Sequence, residues 1–344
     1  MTHDFTRPMP WQQDLWLELT TLVLQQRLSH ALLFCGAQGI GKRQFVRAFA
    51  AFLACEQRSG YACGQCRSCL QLGSGTQPNV STLSVNGLRG LALTPGGHSE
   101  QGLIHHQPES ETRREIPVDS VRKLIDQLTL SAHYGSTRVA LIDAAEQLSI
   151  SSVNALLKTI EEPPAQTHLL LLSERAQSLL ATLRSRCQRI LMPRPDAATA
   201  LAWLREQLGF DGSEALDAAH GAPVRALQLA QSDALAQQKV WRQLWQDVGL
   251  RRVDPLTAAA SVDREQLAVH LDWALGWLSQ HLRQAMLARA GAETLDATVQ
   301  MLDTLLDARR RAATSANAQL LLESLLVQWL RLGARVLDSR AFAA

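Results

Sequence analysis

Lysine is scarce in this sequence. Only four of its 34 basic residues, Lys42, Lys123, Lys158 and Lys239, are lysine, and the rest are arginine. A lysine inside a motif therefore carries weight. Net charge is nearly absent as well, +2 over 344 residues. That excludes a chain that wraps nucleic acid along its length and confines any DNA contact to a local patch. Long apolar runs are missing, and stretches such as residues 168–172 are far too short to cross a bilayer. Met1-Thr2-His3-Asp4-Phe5 shows no basic segment leading into an apolar one, so no signal peptide is expected. The expectation is a soluble cytoplasmic protein with no membrane partner. What is present is a 46% hydrophobic content with balanced charge, which excludes disorder as the dominant state. The length predicts two or three domains.

Apolar runs without alternation, each followed by a helical pattern, predict a parallel sheet covered on both faces. Strands are expected at 31–35, 139–142, 169–172 and 188–192, with a weaker one at 80–85. Helices are expected over 42–53, 118–130 and 150–160, the last stopped by Pro163-Pro164. Residues 87–115, rich in Gly, His, Ser and charge, read as an exposed insertion loop, with His98, His105 and His106 as surface histidines. Strand signals cease after Asp196. Helices are predicted over 197–208, 213–230, 266–290, 295–312 and 316–336 from apolar residues recurring at three and four.

Gly36-Ala37-Gln38-Gly39-Ile40-Gly41-Lys42 follows an apolar strand and opens a helix, the context of a phosphate-binding loop. Gly36, Gly39 and Gly41 let backbone N–H groups converge on phosphate, and Lys42 would reach the β- and γ-phosphates. An ordinary glycine-rich turn is the competing reading. The next residue should be Ser or Thr, to hold magnesium. Here it is Arg43, a cation with no acceptor. The strand ending in Asp143 has the shape of a Walker B strand, for which the competing reading is a cap or turn. The glutamate that would activate water after it is replaced by Ala144, and Glu146 lies past the strand end. Two defects point to a nucleotide site without turnover. Whether ATP or ADP is still held is left open by the sequence.

Cys55, Cys63, Cys66 and Cys69 are spaced C-x7-C-x2-C-x2-C. Pairs two residues apart can aim both thiolates at one ion, with Gly64 easing the turn. Disulfides compete, but the missing secretion signal and the single small loop argue against them. A closed set of four thiolates predicts structural zinc. Cys35 reads as core.

Together these residues resemble the clamp-loader AAA+ family of bacterial DNA polymerase III, over most of the chain. Residues 27–34 are similar to its approach to the phosphate loop, and the cysteine module after the loop helix is typical of its gamma/tau and delta-prime branch. Asn154-Ala155-Leu156-Leu157-Lys158-Thr159-Ile160-Glu161-Glu162-Pro163-Pro164 is the most specific match, followed by Ser185-Arg186-Cys187. Residues 221–227 resemble the second sensor region, and 317–323 a segment of the C-terminal collar.

The resemblance implies a RecA-like α/β P-loop module over 1–193, carrying the knuckle at 55–69. A helical lid over 194–235 and an all-α collar over 236–344 would follow. It implies that Arg186 projects as an arginine finger into a neighbour's ATP site, where its planar fork suits transferring phosphoryl charge. A surface arginine closing a turn is the plainer alternative. Ser173 and Arg225 fall at the two sensor positions. The implied partners are gamma/tau and delta subunits, and through them the β sliding clamp and primed DNA. Arg43 and Ala144 favour the delta-prime branch over an active gamma/tau-like ATPase. A stand-alone zinc DNA-binding module is a further rival, against which the near-neutral charge weighs.

Overall fold

The computed structural model describes residues 6–91, 115–129, 137–262, 266–312 and 317–337. His98, His105 and His106 lie outside them. By contact density the chain divides into two compact units, Met1–Gln228 and Leu229–Ala344. No helix among the described residues is long and apolar enough to cross a membrane.

The first unit opens with a 3-10 turn, Pro10–Gln12, and α1, Gln13–Leu24. Then come β1 (Ala31–Cys35), α2 (Lys42–Ala54), α3 (Arg67–Ser74), β2 (Val80–Ser84) and β3 (Gly87–Gly90). After these follow α4 (Val118–Thr129), β4 (Arg138–Ile142), α5 (Ile150–Glu161), β5 (Thr167–Ser173), α6 (Ala181–Arg184) and β6 (Gln188–Leu191). Next come α7 (Ala197–Leu208), α8 (Ser213–Ala218) and α9 (Pro223–Ala230), within whose last turn the division between the units falls. The sheet runs β3-β2-β4-β5-β1-β6. Its pairs are parallel, with Leu33 opposite Leu171 and Leu141 opposite Leu170, except that β3 runs antiparallel to β2.

The central strands are apolar throughout because both faces are covered. Leu33, Leu169 and Leu171 pack with Val121 and Leu124 of α4 and Leu156 and Ile160 of α5. On the opposite pleat Phe34 meets Phe45 and Phe49 of α2, ring centroids 5.9 and 6.4 Å apart, and Trp16 of α1 joins that stack. A parallel sheet with a phosphate-loop turn between β1 and α2 is the RecA-like AAA+ architecture expected.

Two expectations fail locally. Residues 87–90 are strand β3 rather than the start of a loop, because β2 offers them a free edge that outweighs their poor strand propensity. The single helix expected over 213–230 is two. His220 and Gly221 take left-handed φ of 53° and 76° and break it, and Pro223 then restarts the chain as α9.

The second unit is helical: α10 (Ala234–Gly249), α11 (Pro255–Ser261), α12 (Leu267–Leu287), α13 (Ala292–Ala312) and α14 (Ala318–Leu337). Trp241, Trp245, Trp277 and Trp329 form its centre. α10 and α14 meet backbone to backbone there. A Cβ on Gly333 would lie 2.6 Å from Gly249 Cα, and the Trp329 indole N–H donates to the Trp245 carbonyl at 2.7 Å.

Candidate functional site

The loop between β1 and α2 is held on every side by its own chain. Gly39 has φ +76°, and a Cβ there would lie 2.6 Å from Cβ of Arg225, so glycine is what lets α9 approach. The Val224 N–H donates to the Gly39 carbonyl at 3.0 Å. Trp11 Nε1–H and the Gln12 side-chain amide both donate to the Ile40 carbonyl, at 3.1 and 3.0 Å. Lys42 is buried, and its Nζ donates to the carbonyls of Gly36 and Ala37 at 2.7 and 2.6 Å. Burial pushes its pKa down, with the Glu174 carboxylate acting against it.

Beside it, Arg43 Nε donates to Asp143 Oδ1 at 2.8 Å, with only 13% and 5% of the two side chains exposed. A guanidinium therefore neutralises this carboxylate. Arg47, one turn along α2, is half-buried; its partial burial pushes its pKa down, and Asp143 supports its charge. Ala144 stands in the left-handed region, φ 56° and ψ 61°. Glu146 accepts from the Glu174 N–H at 3.2 Å, and its charge supports that of Lys42. Burial raises the pKa of Glu174. Ser173, at the end of β5, is buried and accepts from the Arg175 N–H at 3.2 Å. The cavity bounded by Gly39, Lys42, Arg43, Asp143 and Ser173 holds about 30 Å³, room for a water or two. Arg225 does not line it. The structure thus brings Gly39, Gly41, Lys42, Asp143 and Ser173 together and leaves Arg225 behind Gly39.

The four cysteines converge, with all Sγ atoms within 4.8 Å of one another. Cys55–Cys66 and Cys63–Cys69 are each 3.9 Å apart, against about 3.8 Å for the edge of a thiolate tetrahedron around zinc with bonds of about 2.3 Å. The Gln65 and Cys66 backbone N–H groups hold Cys63 down to about 6, while burial pushes Cys55 and Cys69 up. The donor set fits one tetrahedral cation. The knuckle is moored to α1: Trp16 Nε1–H donates to the Gly60 carbonyl at 2.8 Å and its ring stacks on Tyr61.

Arg186 lies apart from both. Leu183 and Cys187 on either side are buried, so the chain turns Arg186 outward. Its Nε donates to Glu161 Oε1 and its Nη1 to the Thr182 carbonyl, the latter at 3.0 Å. The partners Arg47 and Glu161 leave no mark in the sequence that assigns them these contacts, since each is a charged residue on an ordinary helix.

Residues 11–196 match the family described as DNA polymerase III, delta subunit. The chain is 32% identical over 348 residues to DNA polymerase III subunit delta' of Pseudomonas aeruginosa, covering 93% of this chain and 96% of the relative. The same subunit of Yersinia pestis is 31% identical over 320 residues, 90% and 86% of the two chains. A gamma subunit-related protein from Thermotoga maritima superposes with a TM-score of 0.42 at 17% identity, over 92% of this chain and 99% of that one.

Proposed function

The chain belongs to the delta-prime family of DNA polymerase III clamp-loader subunits, and on that premise we propose that it assists ATP hydrolysis in a neighbouring subunit without hydrolysing ATP itself. The observation that carries this reading is the Arg43–Asp143 ion pair. In an ATPase that carboxylate helps to organise Mg²⁺, and a water-activating glutamate follows it. Here the cation is covalently part of the chain, and Ala144 offers no base. The active gamma/tau-like reading is disfavoured on the same ground.

Arg186 is the arginine finger in this proposal, acting in trans on a gamma/tau neighbour. Delta is the other subunit partner. The assembly acts in the cytoplasm on the β sliding clamp and primed DNA. Residues 194–235 serve as the lid and 236–344 as the oligomerising collar. Cys55, Cys63, Cys66 and Cys69 hold zinc, whose closed thiolate shell is structural.

Two measurements test it. The isolated chain should show no magnesium-dependent ATPase, and turnover abolished by Lys42→Ala would overturn the proposal. In the reconstituted complex, Arg186→Ala should lower turnover at the affected site about a thousandfold. Total ATPase falls only in part, because other sites keep their fingers, while clamp loading falls further. Lysine at 186 should rescue poorly, since it lacks the planar fork.

A further inference from the structure

Position 186 is built as a mount rather than as a free side chain. α6 is pegged into the core by Leu183, which is fully buried. The Ser185 N–H closes the last turn onto the Ala181 carbonyl at 3.0 Å, and the Arg186 N–H bonds the Leu183 carbonyl at 3.2 Å. Cys187 then re-enters the core, so the backbone on both sides of Arg186 is fixed. The other half of the mount is α5. It is anchored by Leu156 and Ile160 in the same core as Leu183 and ended at Glu161 by Glu162-Pro163-Pro164.

Glu161 is thus the last residue of a rigid helix, and its carboxylate takes the Nε proton of Arg186. The Thr182 carbonyl takes one Nη1 proton. A guanidinium has five N–H donors, so three are left without a hydrogen-bond partner among the described residues. An arginine has many rotamers, and freezing it at the moment of reaction costs rate. A side chain already held in one orientation loses less.

We infer that Glu161 is a positioning residue for Arg186: it clamps the Nε side of the guanidinium and so presents the remaining donors to an anionic phosphoryl group on a neighbouring subunit. The inference rests on the finger reading above. The pair is half-exposed, so its hold is modest. The expected effect is a loss of about two- to fivefold in turnover at the affected site, far smaller than loss of the arginine itself.

The test uses this chain reconstituted with gamma/tau and delta subunits, with assembly checked by gel filtration. Glu161→Ala, Glu161→Gln, Glu161→Asp, Arg186→Ala and the Glu161→Ala/Arg186→Ala double variant are compared by clamp- and DNA-stimulated ATPase and by ATP affinity. Glu161→Ala should lower kcat with ATP affinity unchanged. Glu161→Gln, which keeps an acceptor without the charge, should recover part of the loss. The double variant should match Arg186→Ala alone, because the carboxylate acts only through the arginine. If Arg186→Ala impairs turnover while Glu161→Ala does not, or if Glu161→Ala raises it, the positioning role is overturned and the finger stands. If Arg186→Ala has no effect in an intact complex, the finger reading itself fails. A double variant worse than Arg186→Ala would show that Glu161 acts independently, and would also overturn the inference.

Discussion

Arg43 and Asp143 are 100 residues apart in sequence and 2.8 Å apart in space. One lies in the first turn of the helix after the phosphate loop and the other directly follows β4. Almost nothing of either is exposed to solvent, so removing one partner strands the other. Arg43→Ala should destabilise the first unit by about 3 kcal/mol, less whatever Arg47 restores. Arg43→Met combined with Asp143→Leu should recover part of that loss, because an apolar pair strands neither of the two charges, although Arg47 loses the carboxylate that supports it. Urea unfolding of the parent and the two variants measures this, and a double variant destabilised as much as Arg43→Ala would show that the stranded charge is not what costs stability.

The knuckle should carry one zinc per chain in reduced protein purified without added metal, measured by elemental analysis. Cys66→Ser should cut that stoichiometry. Because the Gly60 carbonyl holds Trp16, it should also lower the melting temperature of the first unit. A folded, reduced protein with no metal would remove zinc from the proposal.

Stability should fall as pH drops below about 6.5. His281 is buried on α12, and burial lowers its pKa, with a bond to the Val336 carbonyl acting against that shift. The unfolded histidine, with a pKa of about 6.5, therefore binds a proton at a pH where the folded one does not. The stabilisation is present above the unfolded value and is lost as pH falls through the lowered folded one. His168 on β5 is shifted the same way by burial and adds a share of the same sign. Unfolding midpoints at pH 7.5 and 5.5 should converge in His281→Gln/His168→Gln. An undiminished gap would show that other groups set the slope.

Gly333→Ala should destabilise the helical unit by about 1–3 kcal/mol, as overpacking does. The new methyl would lie 2.6 Å from Gly249 Cα, and backbone cannot step aside as a side chain can. Thermal unfolding measures it, and an unchanged midpoint would show that α10 and α14 separate freely.

The sheet was legible because its strands are apolar on both faces and its turns carry glycine or proline. The loop 36–42, the Asp143 strand and the cysteine spacing were legible for a similar reason: chemistry fixes their local pattern. Elements whose cause is distant were not. β3 is a strand only because β2 has an edge to fill. The break at His220 and Gly221 interrupts a pattern whose apolar spacing continues through it. α1, with Trp16 completely buried, is explained by the α2 phenylalanines it stacks on, more than 25 residues further along the chain. The departures at Arg43 and Ala144 could be read as losses in the sequence, but only the structure shows Arg43 seated on Asp143.

The internally tethered loop also bears on how such a site can change. Threonine at position 43 would supply a hydroxyl for a metal, but it would leave Arg47 beside Asp143. Glutamate at position 144 would inherit the left-handed backbone that Ala144 already adopts. Lys42 would have to abandon two carbonyls, and the Ile40 and Gly39 carbonyls would still be taken by Trp11, Gln12 and Val224. Each step alone is neutral or harmful, and the gain appears only when several coincide. The arrangement therefore resists piecemeal change: any single substitution leaves the other tethers of the loop in place.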